Sequence, residues 1–134
     1  MNNLECSSKG DKRFSALYSK VLYEGKLSSI ESIYQKSKRR KDGSVCKKGE
    51  YVEYMVINNN RLESRFLTPF YKLLWVKYFD NNPELVEYAK DFDSFSDMFR
   101  GRSINVSSDI IEKIVKSGRS SVMDECIELL DILN

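Results

Sequence analysis

The spacing of apolar and polar positions changes character midway along the chain. Over the first 66 residues the apolar positions come in short runs; beyond them they recur at helical intervals. Residues 14–23 carry aromatic and β-branched side chains and run into Glu24-Gly25, a turn signal, which predicts a short extended ribbon. From residue 28 to about residue 40 the period lengthens. Ile30, Ile33 and Tyr34 fall on one helical face, and Ser28-x-x-Glu31 has the spacing of a capping box, so a helix is predicted there. Residues 51–57 have strand composition and end at Asn58-Asn59-Asn60. Asparagine tolerates positive φ, so the triplet predicts a hairpin turn into residues 61–66.

The rest of the chain reads as helices punctuated by caps. Thr68 followed by Pro69 predicts a helix start, with Phe70, Leu73, Leu74 and Tyr78 turned inward through Phe79. Asn82-Pro83 repeats the device and opens a helix over 84–92. A short turn is predicted at 94–99, then a helix over 109–116 capped by Ser108 and closed by Gly118. Ser121 is expected to cap a last helix bearing Val122, Cys126, Leu129, Leu130 and Leu133. The fold class expected is α+β: a predominantly helical single domain over residues 1–134 with a small antiparallel sheet.

Composition narrows the chemistry. The 134 residues are 41% hydrophobic and 31% charged, which excludes a disordered chain and predicts one core. Histidine is absent, and its absence removes Ser-His-Asp and Cys-His catalysis, the HExxH zinc site and the imidazole proton shuttle. Acid–base work is left to a carboxylate, a lysine, a tyrosine or a cysteine. Cys6, Cys46 and Cys126 lie 40 and 80 residues apart, a spacing that matches neither a disulfide scaffold nor a zinc motif. They are expected to be reduced structural thiols in a cytoplasmic protein. No run approaches 18 apolar residues, and the first residues show no signal-peptide pattern, so no membrane association is expected.

Three stretches could carry chemistry. On a helix, Glu31, Gln35 and Lys38 share a face. A carboxylate in the first turn would stand beside free backbone N–H groups able to attract an anion, able to activate a water with Gln35 orienting it; a capping box with a solvated polar stripe is the plainer alternative. Residues 36–48 hold seven basic residues against one acid. They read either as a solvated helix end and loop or as a phosphate-contacting patch on a small nucleic-acid-binding protein. Residues 92–105 place polar groups, Arg100 and Arg102 after an aromatic cluster, with Asp93 and Asp97 spaced to share a helical face; aromatic core packing is the alternative.

Phe14-Ser15-x-x-Tyr18, Val21-x-Tyr23-x-Gly25-Lys26 and Ser29-Ile30-Glu31-x-x-Tyr34-Gln35-x-x-Lys38 resemble, in order, the N-terminal signature of the NADAR family. That signature runs approximately F-S-N-F-Y, a strand ending in a glycine turn, then T-V-E-H-Y-F-Q-A-x-K. Residues 74–85, ending Asn82-Pro83-Glu84-Leu85, resemble its helical K-F-x-x-N-P-x-L segment. The resemblance implies an N-glycosidase acting on an ADP-ribosyl or phosphoribosyl substrate, including removal of ADP-ribose from guanine. Glu31 would be the catalytic carboxylate, and Ser15, Tyr34, Gln35, Lys38, Arg39, Trp75 and Asn82 the substrate-binding set. No cofactor and no metal are implied. The expected partner is an ADP-ribose-type nucleotide or ADP-ribosylated guanine in nucleic acid. Ser32 and Ala16 stand where the pattern has His and Asn, so the alternative is a catalytically silent binder of such a nucleotide or of a protein partner.

Overall fold

A computed structural model describes residues 2–101 and 105–134. Strand β1 (Asn3–Glu5) opens the chain, and the 3-10 turn Lys12–Phe14 follows, capped by the Asp11 carboxylate. Strands β2 (Lys20–Tyr23) and β3 (Lys26–Ser29) form a hairpin whose Glu24-Gly25 corner sits at positive φ in both residues. The extended ribbon expected over 14–23 is therefore confined to its last four residues. Phe14 is fully buried instead, with its ring against Phe79.

Helix α1 (Ile30–Ser37) is capped by Ser29, whose hydroxyl accepts the Ser32 N–H at 3.1 Å. The capping box expected from Ser28 is thus shifted by one residue, and Glu31 is relieved of any capping role. The helix is also shorter than expected. Lys38 and Arg39 are extended and form β4, which pairs with β5 (Tyr54–Ile57); β5 pairs in turn with β6 (Asn60–Leu62) in an antiparallel sheet. Asn58 and Asn59, with φ of 49° and 66°, make the expected turn. Residues 64–66 form a 3-10 turn, not a continuing strand.

Helix α2 (Leu67–Asn81) grows directly out of that turn, so Thr68 is inside the first turn and not its cap. Helix α3 (Pro83–Ala89) starts at proline as expected. Strand β7 (Ser94–Ser96) occupies the stretch read as a turn and pairs in parallel with β1, bringing the N-terminus beside residue 95. A three-residue strand completed by a distant partner has too little periodicity to be read locally. Helix α4 (Ser107–Ser117) begins after Val106, so Ser108 is not its cap, and Gly118 at φ 88° closes it. Helix α5 (Arg119–Met123) begins before Ser121, whose hydroxyl donates to the Gly118 carbonyl; α6 (Ile127–Leu133) ends the chain.

These elements are α+β and mostly helical, the sheet being split into a hairpin, a three-stranded piece and a parallel pair. One core joins Phe14, Ile30, Met55, Ile57, Trp75 and Ile111 to Leu129 at its far end. Among the described residues no helix is long and apolar enough to cross a membrane. The three cysteines are free and buried.

Candidate functional site

The α1 segment is anchored at both ends, and the anchoring decides which side chains reach the surface cleft. At its start the Ile30 N–H donates to the Ser19 carbonyl at 2.9 Å and the Glu31 N–H to the Ala16 carbonyl at 3.0 Å. With the Ser32 N–H held by Ser29, the first-turn donors are taken, so the free N–H groups expected to attract an anion are not available. Any anion must instead be held by side chains.

A cleft of about 390 Å³, in the usual size range for a small-molecule site, opens beside α1. Ser15, Glu31, Tyr34, Gln35 and Lys38 all border it. Tyr71 of α2, Cys6 and Asp97 just past the ends of β1 and β7, and Lys48, Phe99 and Asn105 from the loops help complete the wall. Tyr34 leans on Tyr71 with ring centroids 4.7 Å apart, and its hydroxyl accepts a hydrogen bond from Asn105 Nδ2 at 2.6 Å. The Tyr71 hydroxyl is 2.6 Å from Ser107 Oγ.

Lys38 and Lys48 are the cations of this wall, and Lys38 is the one held against Tyr34 and Gln35. Its Nζ lies 4.4 Å from the centre of the Tyr34 ring and donates to Gln35 Oε1 at 3.4 Å. Burial lowers its pKa, an effect that the Glu31 carboxylate opposes and the Lys48 ammonium reinforces. The Nε2 group of Gln35 donates to the Cys46 carbonyl at 2.8 Å. Gln35 is therefore a strut between Lys38 and the loop, and not the water-orienting group that spacing alone suggested.

The other candidates for acid–base work sort by environment. Burial pushes the Cys6 thiol up, and the neighbouring Asp97 and Glu5 charges push the same way, so Cys6 stays protonated. Tyr34 is raised by burial, and Tyr71 is pushed up to about 12 by the same cause. Both phenols are neutral near pH 7. Asp97 is raised by burial too, against the pull of the Phe99, Ser107 and Ser108 backbone N–H groups that it faces. It stands near the start of α4, whose N-cap residue Val106 supplies no side-chain cap. Of the cleft's carboxylates, Glu50 is ion-paired to Arg40, which leaves Glu31 and Asp97 for proton chemistry.

Three residues of the expected set lie elsewhere. Arg39 is one step along β4 from Lys38, and strand alternation sends it to the other side, where it borders a separate cavity with Lys26 and Lys36. Trp75 is 0% exposed, stacked on Phe79 at 5.6 Å, so it belongs to the core and not to the substrate-binding set. Asn82 joins α2 to α3, its side-chain amide donating to the Tyr78 carbonyl at 2.8 Å. The Asp93–Asp97 pairing also fails, because β7 separates them: Asp93 Oδ2 accepts the Asn2 N–H while Asp97 faces the cleft. Arg100 is tied to Asp109, Ser108 and the Phe95 carbonyl, and Arg102 lies outside the described residues. Asp97 and Asn105 stand in a stretch singled out by sequence; Cys6 and Tyr71 carried no local signal, since chain topology alone brings them to the cleft.

Ser32, where the resemblance has His, borders the cavity on the far side of α1 and not the cleft. Ala16, where it has Asn, does border the cleft, and there its backbone carbonyl holds Glu31. Compared with known protein families and with characterised proteins, the chain matches none.

Proposed function

We propose that the cleft hydrolyses an N-glycosidic bond to ribose in an ADP-ribosyl or phosphoribosyl substrate, with Glu31 as the essential carboxylate. The observation that carries this reading is the convergence of Ser15, Glu31, Tyr34, Gln35 and Lys38 on one cavity. Ser15 lies ahead of β2 and Lys38 in β4, so helical spacing alone would not gather the five. Breaking the C1′–N bond leaves positive charge on C1′ and its ring oxygen. A carboxylate facing that carbon stabilises the charge and takes a proton from the attacking water. The water oxygen ends on C1′, and the base departs with its electron pair and a proton. In this reading Lys38, steadied by Gln35 and Tyr34, holds the phosphate.

The test is incubation with ADP-ribosylated guanosine, ADP-ribosylated oligonucleotide and a phosphoribosylamine-type nucleotide, following release of the base. Wild type is expected to release it from at least one of them, and Glu31→Gln to be slower by about a hundredfold or more. Wild type as inert as Glu31→Gln on all three overturns the enzyme. If ADP-ribose then gives a calorimetric titration that Lys38→Met abolishes, the cleft is a nucleotide-binding site only. No heat at millimolar ADP-ribose ends that version as well.

A further inference from the structure

The basic residues divide into two populations. Residues 62–134 hold nine basic and thirteen acidic side chains. There Arg65, Lys72, Lys90, Arg100, Lys113, Lys116 and Arg119 each lie within 4 Å of a carboxylate. Residues 20–61 hold ten basic and five acidic, and among the described residues only Arg40 of that segment is ion-paired, to Glu50. Unpaired like charges gathered on one part of a surface repel one another, and a polyanion relieves that repulsion.

Strand register shows where these cations point. In the sheet β4–β5–β6, Lys38, Met55 and Leu62 align on the inner face, while Arg39 pairs with Tyr54 and Arg61 with Val56 on the outer face. The Arg61 guanidinium lies over the Tyr54 ring, 3.8 Å from its centre, on this outer face. Beside it a cavity of about 290 Å³ is bordered by Arg39, Lys26, Lys36 and Tyr23, with Glu24 the acid at its edge. Tyr23 Oη accepts the Asn58 N–H at 3.3 Å, which ties the β2–β3 hairpin to the β5–β6 turn. The basic run of residues 36–48 is thereby split: Lys38 and Lys48 serve the cleft, and Lys36 and Arg39 serve this second face.

We propose that this outer face, formed by Lys26, Lys36, Arg39, Tyr54 and Arg61, binds single-stranded nucleic acid. The cations take phosphates, and the Tyr54–Arg61 stack receives an unpaired base. A duplex keeps its bases stacked away from such a platform. A bilayer surface needs apolar anchors beside the cations, but the exposed pair Leu22 and Leu27 faces the opposite side of the hairpin from Tyr23 and Lys26. An acidic peptide satisfies the cations and leaves the stack unused. The face is separate from the cleft and does not depend on its chemistry.

The experiment is fluorescence anisotropy with a labelled 12-nucleotide oligothymidine across a salt series. Four phosphate contacts give log K against log salt a slope of about −2.8. The triple variant Lys26→Glu/Lys36→Glu/Arg61→Glu, its fold checked by circular dichroism, is expected to bind at least tenfold more weakly. Tyr54→Leu is expected to weaken binding about five- to tenfold with the slope unchanged. Should the triple variant not fold, Arg61→Glu alone, at an exposed position, is expected to make the slope shallower by about 0.7. Release of base from ADP-ribosylated guanosine, where wild type shows it, is expected to be the same in the folded charge variants. No binding at 50 mM salt overturns the proposal, as does charge-variant binding equal to wild type. Equal binding of polyglutamate, duplex DNA or anionic vesicles overturns it too.

Discussion

Helices α1 and α2 carry the two stretches that resemble one family pattern, yet they put their side chains to opposite uses. In α2 the aromatic side chains face inward: Trp75, Tyr78 and Phe79 form a mutually packed cluster with ring centroids 5.3–5.6 Å apart. In α1 only Ile30, Ile33 and Ser37 are buried, and the polar positions Glu31, Gln35 and, just past its end, Lys38 line a cleft. Lys38 is held there although burial disfavours its charge. A residue that packs serves stability; a charge kept where burial disfavours it fits a functional role, which is the usual trade between the two.

The sharpest way to break the contrast is at Trp75. Trp75→Ala should cost about 3–5 kcal/mol in urea melts, as expected for a large side chain lost from a core. The buried indole N–H closes no hydrogen bond among the described residues, so there is little polar interaction to lose. Trp75→Phe should therefore cost well under half as much. A Trp75→Ala variant of near wild-type stability that loses nucleotide binding would reverse the assignment.

Lys38 should behave in the opposite way. Its folded pKa is depressed, so the folded state disfavours the charged form at every pH below that value, and the penalty is relieved only as pH rises toward 10.5. Lys38→Met at pH 7 should accordingly raise Tm by a few degrees while weakening ADP-ribose about ten- to a hundredfold. Equal losses of both would make Lys38 a structural residue.

Ser29→Ala removes the side-chain acceptor for the Ser32 N–H and should cost about 1 kcal/mol. Ser28→Ala should cost less than half of that, which separates the observed cap from the one that spacing suggested. The smallest effect expected is that of Asp97→Asn. Because burial raises this carboxyl, its contribution is fully present below the ordinary value of 3.8 and is lost as pH rises through the raised one. The Asn variant keeps the oxygen that faces α4 and lacks the penalised charge. Its stability relative to wild type should therefore improve between urea melts at pH 3.5 and pH 7, and a constant difference would remove the burial argument.

What could be read from the chain and what could not follow the range of the forces involved. The α1 and α2 helices, the Asn58-Asn59 turn, the Pro83 start and the Gly118 stop are local events, set within a few residues, and they appear close to where periodicity put them, although α1 ends early and the caps of α1 and α2 are not the residues that spacing suggested. The β1–β7 pair joins residues 91 apart and left no local trace. The Lys38–Arg39 step failed for a related reason. A helical reading puts both cations near one another, whereas pairing with β5 makes them alternate, so one enters the cleft and the other leaves it. Within the cleft, the α1 residues were legible because they share one element. Cys6, Tyr71 and Asp97 were not, or were given other roles, because only the tertiary fold brings them there.

The central claim is that Glu31, in the cleft, performs the chemistry. Single-turnover release of ADP-ribose from ADP-ribosylated guanosine tests it most directly, comparing wild type with Glu31→Gln at matched folded fraction. Release by wild type that falls about a hundredfold or more in Glu31→Gln, with ADP-ribose affinity changed less than tenfold, is the result expected. Release at the same rate by both proteins would contradict it.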